Sequence, residues 1–194
     1  MRIYLLDILR GLSVLAMIFY HFFWDLGYFR FIELENMTRG LPLFFAQFIG
    51  ASFIIISGIS SRLMFISDNF LAKFFKRIGV LIFVCTVITS VTFYFDKNSY
   101  IFFGVLHLLA TCSVIGLLLS RVRNNHILFF FFVLSLVVSA SEITFDLPHY
   151  VSWLGLNKEV PITNDFYPLF PWVTFYLFGL WVYQPVQSYL VPNK

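Results

Sequence analysis

The chain has 194 residues, of which 60% are hydrophobic and 12% are charged, and its formal net charge is +3. Soluble domains contain about 45 to 50% apolar and about 25% charged residues, so this composition excludes an ordinary soluble domain. The mean hydropathy of +0.86 indicates an integral membrane protein.

Six apolar runs approach the ~20 residues that an α-helix needs to cross a bilayer. In chain order they are 4–23, 41–60, 78–95, 101–120, 127–143 and 167–183, and the last two are the shortest. They predict an all-α fold, a polytopic membrane bundle of about six transmembrane helices. Since no internal repeat is visible, one domain over residues 1–194 is the simplest organisation.

The basic residues predict the orientation, because Lys and Arg in short loops are retained on the cytoplasmic side. The predicted cytoplasmic side carries Arg2, Arg62, Lys73, Lys76, Arg77, Arg121 and Arg123, of which Arg62 to Arg77 are assigned to the second loop. The predicted outer side carries Arg30, Arg39, Lys97 and Lys158 together with Glu33, Glu35, Asp96, Asp146, Glu159 and Asp165. Both termini are therefore expected to be cytoplasmic.

The stretch LDILRGLSVLAMIFYHFFWDL, residues 6–26, overlaps the first run and contains Asp7, Arg10, His21 and Asp25. An ionisable side chain costs about 2.5 to 3.5 kcal/mol or more at the bilayer centre, so these residues should face the bundle interior or a water-filled cavity. At about 100° per residue, Arg10 and His21 lie only ~20° apart around the helix and about 16 Å apart along it. Asp7 and Asp25 stand at spacings that bring them next to Arg10 and His21.

This polar stripe suggests a chemistry and also a plain structural alternative. An Asp beside a His fixes the imidazole tautomer and stabilises its charged form, so His21 with Asp25 would act as a general base. The guanidinium of Arg10 suits phosphate or carboxylate recognition. In the alternative, Asp7 neutralises Arg10 at the cytoplasmic interface, and His21 and Asp25 form a hydrated helix end.

The second run contains small residues, and a basic segment follows it in the predicted second loop. In FIGASFIIISGISSR the residues that would let another helix approach closely are Gly50, Ala51, Ser57, Gly58 and Ser61. The run KFFKR, with Lys73, Lys76 and Arg77, would attract lipid headgroups or a nucleotide phosphate, unless it only marks the cytoplasmic side. Cys85 and Cys112 are expected to be packing thiols, and no metal site is indicated.

The fourth and sixth runs add two candidates on the predicted outer side. FGVLHLLATCS places His107 inside the fourth helix, where a histidine is either functional or a hydrogen-bonded structural residue. NDFYPLFPWVTFYLFG places Asp165 and Tyr167 ahead of the last helix, where Asp165 could also be a favourable charge at a helix N-terminus. His21, Asp25, His107 and Asp165 are thus expected to converge in the outer half of the membrane.

Four of these segments together carry a family resemblance. LDILRGLSVLAMIFYHFFWDL, FIGASFIIISGISSR, FGVLHLLA and DFYPLFPWVTFYLFG follow the order seen in bacterial proteins similar to the catalytic domain of heparan-alpha-glucosaminide N-acetyltransferase. The spacing of Arg10 and His21 also resembles the first-helix motif of the wider transmembrane acyltransferases, including the acyltransferase-3 proteins that O-acetylate polysaccharides.

The resemblance implies an acyl-CoA donor, acetyl-CoA or another acyl-CoA, that enters from the cytoplasm. It implies transfer to a hydroxyl or amine of an extracytoplasmic glycan or lipid-linked sugar, in a bacterial inner membrane. Arg10 would contact the CoA, aided by Asp7, Lys73, Lys76 and Arg77, and His21 would take the proton of the acceptor. Asp25 would orient His21, and His107 and Asp165 would complete the outer pocket.

Two other functions remain open on the sequence alone. A small membrane transporter could use the stripe to conduct protons, and a non-catalytic scaffold could use it to fix helix packing. The expected partners are membrane lipid, acyl-CoA and the acceptor. No nucleic acid or metal is expected, and a homo-oligomer is left open.

Overall fold

The computed structural model describes residues 3–33, 39–122, 124–141 and 143–190. Arg2, Glu35 and Arg123, which entered the orientation argument, lie outside these residues. Within the described ranges the chain forms six α-helices and no β-strand beyond two isolated bridges. This architecture confirms the predicted all-α class and fits a membrane helical bundle.

The six helices correspond to the six apolar runs. They are α1 (Tyr4–Tyr28), α2 (Gly40–Ile66), α3 (Phe70–Phe95), α4 (Val105–Leu118), α5 (Asn125–Ala140) and α6 (Leu169–Leu190). The described residues also form two short 3-10 helices, Leu119–Arg121 and His149–Leu154. By length and composition α1, α2 and α3 are able to cross a membrane, whereas α4 and α5 are shorter apolar helices. Crossing by α4, α5 and α6 stays a prediction.

The predicted second loop is wrong, because most of it is helical. Arg62 lies in α2, and Lys73, Lys76 and Arg77 lie in the first turns of α3. Lys and Arg are good helix formers, so both helices continue beyond the apolar runs that delimit the predicted spans. The connection between the helices is only residues 67–69. Arg77 is therefore held by a helix rather than by a loop.

Helices α2 and α6 form the centre of the bundle. α2 packs against α1, α3, α4 and α6, and α6 also packs against α4 and α5. Where α2 and α6 cross, a Cβ on Gly58 would collide with the carbonyl oxygen of Tyr176. A Cβ on Gly179 would collide in the same way with the carbonyl oxygen of Ile55. The close approach predicted at Gly58 is confirmed, and its partner is α6.

The buried core lies between α2, α4 and α6. Its fully buried members include Ile54, Leu108, Cys112, Tyr176 and Leu180. Both cysteines are buried and free, as predicted for packing thiols. By contrast, α1 packs along α2 at the edge of the bundle and buries only Leu6 and Gly27.

The segment before α6 runs beside the connection between α3 and α4. The amide of Asn164 donates to the carbonyl of Ser99 at 3.0 Å, and the amide of Tyr167 donates to the carbonyl of Phe103 at 3.1 Å. Because these two bonds flank Asp165, they hold its side chain at the N-terminus of α4.

Candidate functional site

Arg10 reaches from α1 to α2. Its Nη1 donates to Oδ1 of Asp7 at 2.8 Å, as the three-residue spacing predicts. Its Nη2 donates to the hydroxyl of Ser60 on α2. The Arg10 side chain is still 43% exposed. One edge of the guanidinium is therefore fixed, and the group keeps access to a ligand.

Arg77 reaches the same helix, α2, from α3. Its Nη1 donates to the hydroxyl of Ser61 at 3.0 Å, and its Nη2 donates to the hydroxyl of Ser57 at 2.6 Å. These serines are four residues apart on one face of α2, and both are buried. Since hydroxyls are neutral, they orient the guanidinium of Arg77 without cancelling its charge.

The two arginines and the three serines form one basic cluster, made of Arg10, Ser57, Ser60, Ser61 and Arg77. Arg10 and Arg77 bind the consecutive residues Ser60 and Ser61 of α2, so their two positive charges are held near each other. Like charges that are held near each other are unfavourable, and an anion between or beside them would relieve the repulsion. Planar guanidinium groups bind phosphate oxygens in two-point contacts, so the cluster has the chemistry of a phosphate or carboxylate site.

The remaining predicted donor residues lie at the edge of this cluster. Lys73 donates to the hydroxyl of Ser67 in the turn between α2 and α3, at 2.8 Å, and its side chain is exposed. Lys76 is also exposed. Both lysines can contribute to the local positive potential, but neither is fixed in the way that Arg77 is.

His21 and Asp25 lie near the other end of α1. Both side chains are exposed, and within the described chain no hydrogen bond joins them. Asp165, in the segment before α6, lies within electrostatic range of His21. The structure thus brings His21 towards Asp165, a relationship that the sequence spacing within α1 could not reveal.

Asp165 is held against the first turn of α4. Its Oδ2 accepts the backbone N–H of Val105 at 3.1 Å. This approach requires Gly104, because a Cβ there would collide with the same oxygen. Burial raises the pKa of the Asp165 carboxyl, while the Val105 N–H and the nearby His21 oppose that shift.

His107 is fixed by hydrogen bonds at both ring nitrogens. The hydroxyl of Thr89 donates its proton to the carbonyl of Ile101 at 2.8 Å, so it accepts from Nε2–H of His107 at 3.1 Å. Nδ1 of His107 accepts the backbone N–H of Gly104 at 3.3 Å. Both bonds together require the neutral tautomer with its proton on Nε2. His107 lies in the first turn of α4, close to the Val105 amide that binds Asp165.

Tyr167 lies between the Asp165 segment and α2. A Cβ on Gly50 would be only 2.7 Å from the Tyr167 hydroxyl oxygen, so Gly50 makes room for this ring. The Tyr167 ring also packs against Trp172, with 4.6 Å between the ring centroids. We name His21, Asp165, His107 and Tyr167 the His–Asp cluster.

Several polar partners could not be identified from the sequence. The small size of Ser57 and Ser61 predicts close helix packing. In the structure their hydroxyls also accept hydrogen bonds from Arg77. Hydroxyls repeated along one face of an apolar helix are the signal that points to such a buried polar partner. Thr89 carries no such signal, because its role depends on the position of α4. Among the described residues, no group of three or more His, Cys, Asp or Glu side chains could hold a metal ion.

Comparison with known proteins gives a family match. The family whose model matches is described as "Heparan-alpha-glucosaminide N-acetyltransferase, catalytic", and the match extends over residues 2–193. No curated protein and no solved structure matches the chain.

Proposed function

The chain belongs to the heparan-alpha-glucosaminide N-acetyltransferase catalytic family, a family of transmembrane acetyltransferases, and from this premise we propose which reaction its residues perform. It transfers an acyl group, preferably acetyl, from acyl-CoA on the cytoplasmic side. The acceptor is a hydroxyl or amine of an extracytoplasmic glycan or lipid-linked sugar.

The basic cluster is the observation that supports this proposal most strongly. Arg10 and Arg77 are fixed against α2 by serine hydroxyls, and they carry more positive charge than Asp7 neutralises. The phosphate groups of CoA are the anions that such a pair of guanidinium groups would bind. Exposed Lys73 and Lys76 would add to the attraction for the donor.

The His–Asp cluster would perform the transfer. His21 lies about 16 Å farther along α1 than Arg10, so a donor bound at the basic cluster would extend its thioester towards His21. His21 would take the proton of the acceptor as the acceptor oxygen or nitrogen attacks the thioester carbonyl carbon. The carbon–sulfur bond then breaks, and the CoA sulfur leaves with a proton returned by His21. A positioned base contributes on the order of 100- to 10,000-fold.

The carboxylates and His107 would position these groups. Asp165, held at the first turn of α4, would orient His21, and Asp25, four residues farther along α1, would assist when the site is occupied. His107, as a neutral imidazole with both nitrogens hydrogen-bonded, would shape the acceptor side of the pocket rather than exchange a proton.

Calorimetry of acetyl-CoA binding to detergent-purified protein tests the donor site. Arg10→Ala and Arg77→Ala should each weaken binding by about 10- to 100-fold, because a hydrogen bond to a charged group is worth roughly 1.5–3 kcal/mol. Lys97→Ala is the matched control, since it removes one positive charge just beyond the far end of α3. Equal weakening by all three substitutions, or no binding by folded native protein, would overturn the donor assignment.

Transfer of radiolabelled acetyl to membrane acceptors tests the base. His21→Ala should lose at least about 100-fold in rate while keeping its acetyl-CoA affinity. Full activity of His21→Ala would show that another group takes the proton. Solute uptake that is indifferent to acyl-CoA would favour a transporter instead.

A further inference from the structure

A groove of about 470 Å³ runs between α3 and α4, separate from the basic cluster. Its walls include Thr86, Thr89 and Ser90 of α3 and His107, Ala110 and Thr111 of α4. Of the described side chains that line it, none is Asp, Glu, Lys or Arg. The anionic phosphates of a nucleotide would find no counter-charge here, so the groove suits a neutral ligand.

The groove opens onto an exposed apolar surface of the bundle. Beside its α3 wall, the side chains of Phe83 and Val87 are 69% and 43% exposed, and beyond its α4 wall Val114 is 45% exposed. α3 packs against α2 and α4, and no other described helix packs extensively against it. The groove is therefore continuous with the surface that faces the hydrocarbon of the membrane, and a ligand would enter it sideways from the bilayer.

One end of the groove reaches the His–Asp cluster. His107 belongs to the groove wall, and the Val105 amide that binds Asp165 is in the same first turn of α4. The hydroxyls of Thr86 and Thr111 donate to carbonyls of their own helices. Their oxygens consequently keep lone pairs for a ligand with hydroxyl or amide donors.

We propose that this groove binds one hydrocarbon chain of a neutral, hydroxyl-bearing glycolipid, whose headgroup reaches the His–Asp cluster and is the acyl acceptor. If a methylene is about the size of a water molecule, ~30 Å³, the volume holds on the order of 15 such groups, which corresponds to one chain. The assignment of the bound lipid as the acceptor rests on the proposed acyl transfer. The binding of a hydrocarbon chain in the groove is independent of that proposal.

Photolabelling tests the groove with a glucosyl-diacylglycerol that carries a diazirine in one acyl chain. In native protein the label should map to α3 and α4. Ala110→Phe fills the groove and should reduce labelling there by about tenfold, a change worth ~1.4 kcal/mol. The matched control is Val91→Phe, at an exposed position on the face of α3 that is turned away from the groove, which should label normally. If Ala110→Phe does not fold, Thr86→Trp is the alternative variant, because it fills the groove from α3.

Acetyl-CoA binding and acetylation of the probe, measured on the same samples, separate the two proposals. If Ala110→Phe loses the label and acetyl-CoA neither binds nor reacts in native protein, the groove stands and acyl transfer fails. If native protein transfers acetyl to other acceptors but not to the bound glycolipid, the acceptor assignment is overturned. Equal labelling of the Ala110→Phe and Val91→Phe variants, or loss of label when acetyl-CoA is added, overturns the groove.

Discussion

Arg77 carries its charge inside the bundle because the α2 hydroxyls take its N–H groups. The bond to Ser57 is the shorter of the two, at 2.6 Å. Removing the acceptor of a charged donor leaves that donor without a hydrogen bond. The free-energy cost of this loss is larger than the net stabilisation from forming the bond. Ser57 is therefore a residue whose loss should affect both stability and the donor site.

We expect Ser57→Ala to lower the free energy of unfolding by about 1.5–3 kcal/mol and to weaken acetyl-CoA binding. Thermal unfolding in detergent and calorimetry measure the two effects. Ser52→Ala is the control on the same helix, because the Ser52 hydroxyl only donates to its own helix, at the Phe48 carbonyl. Unfolding temperatures that match for the two variants would contradict this role of Ser57.

Asp165 gives a prediction for the pH dependence of stability. Its folded-state pKa is raised, chiefly by burial, and it lies outside the spanning helices. The native state therefore holds the proton more tightly than the unfolded state, so this carboxyl makes stability fall as pH rises from about 3.9 to the raised folded pKa. Above that pKa the loss is complete and constant.

Asp165→Asn removes this titration and keeps an oxygen to accept the Val105 N–H. The stability of the variant relative to native protein should increase from about pH 4 upwards and then level off. Asp96→Asn is the control: hydrogen bonds, first from Ser99, lower the pKa of Asp96, so its titration lies below the ordinary value of about 3.9. Its curve should run parallel to the native one from about pH 5 upwards, and an Asp165→Asn curve that stays parallel to the native one from about pH 4 to 7 would refute the prediction.

At the scale of helices, the contact between α2 and α6 depends on glycine at two facing positions. Gly58 and Gly179 let the two backbones touch, and no flexible side chain lies between them that could move aside. An added methyl group must therefore push the helices apart. By contrast, a methyl group added at Gly79 on α3 would have no heavy atom of another segment within 4 Å.

Gly58→Ala should consequently destabilise the protein by about 1–3 kcal/mol, the usual cost of overpacking. Gly79→Ala should be neutral or stabilising, because alanine is favoured over glycine in a helix by up to ~1 kcal/mol. Thermal unfolding monitored by size-exclusion chromatography in detergent compares them. The α2–α6 contact would not be as rigid as described if both variants unfolded alike.

Sequence patterns predict the helices of this chain better than their ends or their side-chain partners. Apolar runs locate the part of a helix that meets lipid or core, so they predict α3 from residue 78, whereas it begins at Phe70. The i, i+3 pair of Asp7 and Arg10 is predictable, since both lie on one helix. The bonds from Arg77 to Ser57 and from Val105 to Asp165 join separate segments, so they depend on packing that no single helix encodes.

At the scale of the whole molecule, the proposed reaction requires the basic cluster and the His–Asp cluster to face opposite sides of the membrane. The two lie at different heights on α1, with Arg10 and His21 about 16 Å apart. If the orientation follows the basic residues, the turn at Asp68 faces the cytoplasm and the segment around Lys158 faces outwards. Both positions are exposed and lie between helices, so each can carry a probe.

Single cysteines at these positions test the orientation with a membrane-impermeant maleimide. Lys158→Cys should react in intact expressing cells, and Asp68→Cys should react only after the membrane is opened. The native thiols at Cys85 and Cys112 are buried, so unmodified protein is the background control. Reaction of Asp68→Cys in intact cells would put the basic cluster on the outer side, where it could not receive a donor from the cytoplasm. The basic cluster could then bind only an anion from outside the cell. The acyl-CoA proposal would be overturned, although the described fold would be unaffected.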